Sequence, residues 1–516
     1  MKNSVYLIGN AHLDPVWLWR FQEGFAEIKA TFRSALDRIA ANDDFVFTSA
    51  CASYYKWVEE NCPSMFEEIR AAVKAKKWAI VGGMWIQPDC NMPSAESFAR
   101  HFLYSQRYFR EKFGVSVRTG YNVDSFGHNA ALPKLLRQGG IENYIYMRPS
   151  PVNEMAYPFS GEAFRWQCDG EEVAAYRLPE PYCFNLRDDE RLRRADEAAD
   201  GFSHDLMFFY GVGNHGGGPT ITNLKIIHEF QPKASRDFVM ASPDTAFDAI
   251  RARSYDKLPV YVGELQNHAS GCYSANSRIK ALNRDCENRL SEAERMESLA
   301  AVLADLKPDT AKNAEAWQAV LFNQFHDILC GCSVKAAYDD AYAFGGAALH
   351  RALTLTNAAA QRISWSIDTS KGVAVLTKEM SGMVWEADDL GTPVVVFNPT
   401  SHPVRVPVSV HTGTCAAVTD EHDNLVPWQI IRADYTNGGG DKYFVHFRPE
   451  IPALGWKTFW VYQNRSFGDN GETTMEATPT MLKNDRITVT FDETTGGIAS
   501  VKLADGRELL GSRGTR

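Results

Sequence analysis

The stretch "YLIGNAHLDPVWLWRF", residues 6–21, carries the reading of the first half of the chain. A short apolar run, Val5–Gly9, has the make-up of a buried strand. It breaks into His12-Leu13-Asp14-Pro15 and then a patch holding Trp17 and Trp19. If the chain stays extended past Gly9, His12 and Asp14 project to one side, because residues i and i+2 of an extended segment share a face. An imidazole and a carboxylate placed together can supply two adjacent ligands to a divalent metal. A hydrogen-bonded structural pair has the same spacing, and this stretch alone leaves both readings open.

Outward from it, β-rich runs recur at Phe45–Thr48, Trp78–Gly82, Val117–Val123, Tyr144–Met147 and Leu206–Tyr210. Helical patterns separate several of them: Phe25–Ala40, Tyr54–Lys76 and Ala95–Phe113. This alternation predicts βαβ units and a parallel sheet, either barrel-like or doubly wound. In both, the working face lies at the C-terminal ends of the strands. From about Asn276 to Ile363 helical patterns dominate, at Ile279–Leu306, Ala311–Leu329 and Val334–Ile363, with Asp309 placed to cap the second. Three successive long helices predict a bundle. After about Gly372, "GTPVVVFNPTSHPVRVPVSV" (391–410) and "KYFVHFRPEIPALGWKTFWVYQ" (442–463) read as an all-β region. The tail "NDRITVTFDETTGGIASVKLADGRELL" (484–510) looks like a hairpin opening another β domain, so a truncated C-terminus is expected. The expected domains are 1–262, 263–372, 373–470 and 471–516.

A chain of 516 residues is long enough for three or four domains, and 45% hydrophobic content with 12% aromatic is that of a packed globular protein. The formal net charge of −10 argues against nucleic acid as a partner. The N-terminal MKNSVYLIGN lacks the apolar length of a signal peptide, and no apolar run reaches the length of a membrane span. A soluble, cytoplasmic protein with no membrane partner is expected. The ten cysteines then stand as reduced thiols, and Cys330-Gly331-Cys332 reads as two ordinary thiols near a helix end.

Four further stretches hold candidate chemistry. In "TGYNVDSFGHN" (119–129), Asp124 ends a strand-like run, where a catalytic carboxylate belongs. A helix N-cap is the plainer role for Asp124, although Asn129 can serve that helix, and His128 reads as a loop residue. In "AWQAVLFNQFHDILCG" (316–331), a helix wound at 100° per residue is apolar nearly all round, so His326 and Asp327 sit where polar groups need partners. A core histidine bonded to a backbone carbonyl is the plain alternative. "FFYGVGNHGGGPT" (208–220) has no Gly-Lys-Ser/Thr and is no P-loop; it places Asn214 and His215 in a flexible loop after a strand. "GELQNHASGCYSANSRIKALNR" (263–284) offers Glu264, Asn267 and His268.

Taken together and in order, "NAHLDPVWLW", "GYNVDSFGHN" and "LFNQFHDILCG" resemble glycoside hydrolase family 38, the zinc-dependent α-mannosidases, of bacterial type. The resemblance implies a barrel-like α/β domain of seven-stranded type, a three-helix bundle and β-sandwich domains. It implies one Zn²⁺ per chain, held by His12, Asp14, Asp124 and His326, and a retaining mechanism with Asp124 as nucleophile. By the same pattern Trp17 forms the floor under the sugar with Phe126 beside it, Arg148 and Asp327 contact substrate hydroxyls, and Trp19 stays a core residue. The acid/base breaks the pattern. Other members carry an aspartate in the loop matching "GNHGGGPT", where this chain has Asn214 and His215. Asparagine delivers no proton, whereas a histidine can, so His215 is the candidate, with Glu264 and Asp327 behind it. The implied substrate is a mannose-containing oligosaccharide or mannoside, mannosylglycerate-like compounds included, and the protein is a possible homo-oligomer. A zinc deacetylase-like hydrolase, in which the metal activates water, and a non-catalytic sugar-binding protein are the competing readings.

Overall fold

The computed structural model describes residues 2–149, 162–179, 181–266, 268–371, 391–434, 443–470 and 475–511. Asn267, the boundary expected at 372–373 and the first residues of the last expected segment lie outside them. The chain divides into two compact units, Met1–Ala359 and Ala360–Arg516.

The first unit opens with β1 (Val5–Asn10), α1 (Phe21–Ala41), β2 (Phe47–Ser49), α2 (Ala52–Asn61), α3 (Pro63–Lys74), β3 (Trp78–Ile80) and α4 (Ala95–Phe113). It continues with β4 (Thr119–Asn122), α5 (Leu132–Gln138), β5 (Asn143–Tyr146), β6 (Ala163–Cys168), β7 (Glu171–Arg177) and α6 (Glu190–Ala198). Then come β8 (Leu206–Tyr210), α7 (Ile221–Phe230), β9 (Phe238–Met240), α8 (Pro243–Arg253) and β10 (Val260–Val262). Among the described residues these strands form two five-stranded sheets, β3-β2-β1-β8 with β9 also on β1, and β10-β6-β7-β5-β4. Every pairing in them is parallel except β6 with β7. A backbone bond from Gly82 N–H to the Thr119 carbonyl (2.7 Å) links the β3 and β4 edges. The expected parallel α/β domain is present, but as a half-barrel of two sheets and not one seven-stranded sheet. The antiparallel β6–β7 hairpin turns at Asp169-Gly170, a pair that favours such turns and that the strand pattern passed over.

β1 is central because it is apolar on both faces. Val5, Leu7 and Ile8 are wholly buried, and its register with β8 runs from Val5 opposite Leu206 to Gly9 opposite Tyr210. Burial of a side chain of this size is worth ~1.5–3 kcal/mol. The Asn10 side chain ends the strand as a hub. Its Nδ2 donates to the carbonyls of Tyr182 (3.0 Å) and Tyr210 (3.2 Å), and its Oδ1 accepts from Tyr121 Oη (2.8 Å). These bonds fix where β1, β4 and β8 stop, and so where the residues after them begin.

The helical region comprises α9 (Ser277–Ala304), α10 (Thr310–Asn323), α11 (His326–Leu329) and α12 (Lys335–Ser364). Asp309 caps α10, accepting from Lys312 N–H at 3.2 Å. Two expected helices are broken. Pro63 divides Tyr54–Lys76 into α2 and α3, as a proline lacks the N–H that a helix interior needs. The helix expected over Ala311–Leu329 stops at Asn323, because Phe325 is extended (ψ 137°) and bridges Pro88 antiparallel. Gln324 anchors this break. Its Nε2 lies 2.8–3.0 Å from Asn283 Oδ1, Ser97 Oγ and Glu287 Oε1, and His101 Nε2–H donates to its Oε1 at 3.0 Å.

The second unit holds several antiparallel sheets. β11 (Thr392–Asn398), β12 (Val404–Arg405), β13 (Val408–Thr412), β14 (Ala417–Thr419), β15 (Trp428–Arg432), β16 (Tyr443–Phe447), β17 (Glu450–Ile451) and β18 (Gly455–Tyr462) pair as β11-β18-β14, β13-β16-β15 and β12-β17. Phe447 and Phe459 share one apolar core with Val418, Val445 and Val461. β19 (Glu476–Thr478), β20 (Met481–Lys483), β21 (Ile487–Phe491) and β22 (Ile498–Leu503) form a separate meander.

Two buried histidines make stability depend on acidity. Burial pushes both His101 and His128 down to about 3, against only one opposing hydrogen bond each. Each stays neutral in the fold while the unfolded chain binds a proton below about 6.5. Their contribution is therefore whole above that pH and is lost as pH falls toward about 3, by ~1.4 kcal/mol per pH unit per histidine. His101→Gln is expected to flatten the pH dependence of the unfolding free energy in this window by one proton. An unchanged slope, read from denaturant curves at several pH values, would contradict the assignment.

Candidate active site

The working face gathers what four strand ends and one short helix deliver. Past β1, Leu13 pairs with Asn214 in a parallel bridge, so the chain is still extended there and His12 and Asp14 share a side. The loop then packs on α1 at Gly24, where a Cβ would lie 2.0 Å from the Pro15 carbonyl oxygen. No side chain fits at that crossing. Asp124 follows β4, Arg148 follows β5, the Asn214-His215 loop follows β8, and His326 opens α11.

His12 and His326 are fully buried; Asp14 and Asp124 are 3% and 8% exposed. One ligand atom from each of the four lies within 4.8 Å of the others. His12 Nε2 is 2.8 Å from Asp14 Oδ1 and 3.8 Å from Asp124 Oδ2, and His326 Nε2 is 4.0 Å from Asp124 Oδ2. His326 Nδ1–H donates to the Gln87 carbonyl (2.9 Å), which fixes the tautomer and turns the Nε2 lone pair inward. His12 Nδ1 and His326 Nε2 are buried without a hydrogen-bond partner, and His12 Nε2 and Asp14 Oδ1 have only each other, as a close ion pair. Orphaned polar atoms in a dry interior are costly unless something pairs them. Two imidazoles and two carboxylates converging in this way suit a zinc-like divalent cation. The group can therefore hold a metal ion.

The electrostatics agree. Burial opposes ionisation of Asp124, but His12, His326 and Arg148 outweigh it and hold the carboxyl below its usual range. Arg148 Nε donates to Asp124 Oδ1, and Tyr182 Oη donates to Oδ2 at 3.0 Å. Burial pulls the His12 imidazole down, yet the Asp14 and Asp124 carboxylates overcome it and leave it raised. Burial, with the neighbouring His12 adding to it, drives His326 down to about 4 despite nearby Asp124, which favours the neutral imidazole that a metal would need. Asp327, 3.7 Å from His326 Nε2, is pushed well up by burial and by Asp14. A dipositive ion would counter the rise at Asp327 and deepen the depression at Asp124.

The other expected residues fall around this group. Phe126 is half-buried, edge-on to His326 at 5.6 Å, with the Arg148 guanidinium over its ring at 5.8 Å. Trp17 is half-buried and edge-on to Trp19 at 5.8 Å. Trp19 is buried, and its Nε1 donates to the Asp14 carbonyl (2.9 Å). His215 stacks on the Trp19 ring at 3.9 Å, with Nε2 2.9 Å from Glu23 Oε1, and its side chain is 48% exposed. Asn214 sits at φ +52° and takes the Asp14 N–H on its carbonyl at 3.0 Å, which binds the loop to the metal group. Glu264 is exposed.

Sequence reasoning missed Tyr182, misread His128 and offered His268 without a role. Tyr182 lies on Asp124 and edge-on to His12 at 4.7 Å, in a loop after β7 that has no motif. His128 is no loop bystander: fully buried, it holds the Arg148 carbonyl through Nε2 (2.9 Å) and accepts from Tyr144 Oη at Nδ1 (2.9 Å). His268 accepts from Arg148 Nη1 (2.9 Å), and burial together with that guanidinium lowers its pKa. Replacing His326 by alanine is expected to weaken Zn²⁺ or Co²⁺ binding by more than ~100-fold, since even outer partners of a metal are worth 10–100-fold. Competition with a chromogenic chelator checks this; unchanged affinity places the cation elsewhere.

Comparison with known proteins supplies the context of this site. Residues 2–264 match the glycosyl hydrolases family 38 N-terminal domain, and residues 267–363 match the α-mannosidase middle domain. "Alpha-mannosidase G" of Dictyostelium discoideum is 32% identical over 346 residues, 66% of this chain and 31% of its own. "Alpha-mannosidase 2C1" of Homo sapiens is 29% identical over 347 residues, 66% of this chain and 33% of its own. The chain thus spans about a third of the length of these relatives. The crystal structure of an α-mannosidase from Enterococcus faecalis V583 shares the fold, with a TM-score of 0.77 at 18% identity over 98% of this chain and 61% of that one. With more than half of its length matched by the family's N-terminal domain alone, the chain belongs to glycosyl hydrolase family 38, the α-mannosidase family of glycoside hydrolases.

Proposed function

We propose that the protein hydrolyses terminal α-mannosyl linkages of oligosaccharides or small mannosides, with retention, through a covalent mannosyl-enzyme on Asp124. One observation carries the reading. Asp124 is held ionised where it serves both the His12/Asp14/His326 group and the cradle of Arg148 and Tyr182. A nucleophile must stay deprotonated, and this surround keeps it so. His12, Asp14, Asp124 and His326 would hold one Zn²⁺, which supplies Lewis-acid binding of sugar hydroxyls and orients the ring.

The protein's own groups do the rest. An Asp124 carboxylate oxygen forms a bond to the anomeric carbon as the bond to the leaving oxygen breaks. His215 gives that oxygen a proton; Glu23 holds Nε2, so Nδ1 is the atom that transfers it. Water then returns a proton to His215, its oxygen bonds to the anomeric carbon, and Asp124 is freed. Trp17 and Phe126 offer ring faces to the apolar side of the sugar. Asp327 and Arg148 bind hydroxyls.

The test is release of nitrophenol from a nitrophenyl α-mannoside by the metal-loaded protein. Turnover that a chelator abolishes and Zn²⁺ restores is expected, and Asp124→Ala should lose at least ~10⁴-fold. A loaded protein that binds mannose without turnover would be a sugar-binding protein, and one that releases acetate from acetylated sugars a deacetylase. For the proton donor, His215→Gln should cost ~10²-fold or more on a mannobiose, whose alcohol leaving group needs a proton, and little on a dinitrophenyl mannoside. Equal losses on both substrates would remove His215 from that role.

A further inference from the structure

Beyond α11 the chain turns through Cys330-Gly331-Cys332 before α12 begins. Gly331 has φ +96°, and a Cβ there would lie 2.8 Å from the Ala275 carbonyl oxygen, so the turn needs glycine. It brings the two sulfurs to 3.3 Å, and Cys332 Sγ lies 2.9 Å from Asp327 Oδ1. The sulfurs are not bonded, since a disulfide requires about 2.05 Å. One ligand atom from each of Asp327, Cys330 and Cys332 lies within 4.8 Å of the others. Asp327 and Cys330 are buried, and Cys332 is the one exposed cysteine of the ten, which gives an ion a way in.

We infer that Cys330, Cys332 and Asp327 form a second cation site, for a thiophilic divalent ion such as Zn²⁺ or Cd²⁺, beside the His12/Asp14/Asp124/His326 group. Two sulfurs and a carboxylate oxygen make three ligands of a tetrahedral set with the fourth left to water, and thiolate donors select soft or borderline ions. Binding breaks two S–H bonds, sends both protons to solvent and forms two metal–sulfur bonds, with no change of oxidation state. The mannoside reaction uses neither thiol. The two sites share a wall: Asp327 Oδ1 faces Cys332, and Oδ2 lies 3.7 Å from His326 Nε2. An ion on the thiols therefore engages the carboxylate that, on the reading above, binds substrate, and excess ion would slow turnover. The site itself does not depend on that reading.

The experiment is a Cd²⁺ titration of the full chain, following ultraviolet thiolate-to-cadmium charge transfer and, by equilibrium dialysis, the number of ions bound. Two ions and a charge-transfer band are expected for the unaltered protein. Cys332→Ser, and Cys330→Ser with Cys332→Ser, should each lose the band and one ion. His12→Ala should lose the other ion and keep the band. A band that survives the double serine variant, a band absent from the unaltered protein, or an ion count unchanged by the serines would overturn the inference. A His12→Ala variant that binds as many ions as the unaltered protein would count against the first site and leave the second standing.

Discussion

The constraint on which the rest of the structure depends is the burial of unpaired polar atoms. His12, Asp14, Asp124 and His326 each bring one nitrogen or carboxylate oxygen to a common point with almost no access to water, where His326 Nε2 has no hydrogen-bond partner. Left alone, such a cluster would favour water entry or rearrangement. It stays because each backbone segment is pinned from behind. Asn10 pins the end of β1, the Gln87 carbonyl orients His326, and Gln324 with its three acceptors fixes the break before α11. Tyr54 Oη donates to the Leu13 carbonyl at 2.7 Å, between His12 and Asp14. The scaffold is spent on orientation, and the cluster's own stability is left for a cation to supply.

The same arrangement sets charge. The His12 imidazole is raised by its carboxylates, and burial drives Asp327 toward its neutral form. Asp124 differs in having Arg148 as a permanent cation, and it stays ionised despite its burial. Arg148 is itself steered by His128 at its carbonyl and by His268 at its guanidinium. Residues one step removed from Asp124 thus help to keep its carboxyl charged.

Much of this was legible in the sequence. The i, i+2 pair after an apolar strand, the carboxylate closing β4, and a histidine in an all-apolar stretch each marked a member of the buried group that could hold a metal, and their order matched a known family. What failed did so for tertiary reasons. Periodicity carried one helix through Phe325, since nothing local shows that Pro88 will pair with that residue. Tyr182 stands in a loop whose place depends on β7 and Asn10, contacts 172 residues apart in the chain for the latter. His128 looked like a loop residue because its partners, Tyr144 and the Arg148 carbonyl, lie on and just after the next strand. The α/β alternation was read correctly, and its division into two sheets follows from a junction made by one backbone bond at Gly82.

The central claim is that Asp124 is at once a member of the metal group and the atom source of a covalent intermediate. Mass spectrometry of peptides from the metal-loaded protein, after reaction with an activated fluoro-mannoside that forms but slowly releases the intermediate, tests it most directly. The account predicts a single fluoro-mannosyl adduct on Asp124, absent after chelation. Turnover of mannosides with no adduct, or an adduct on any other residue, would contradict it.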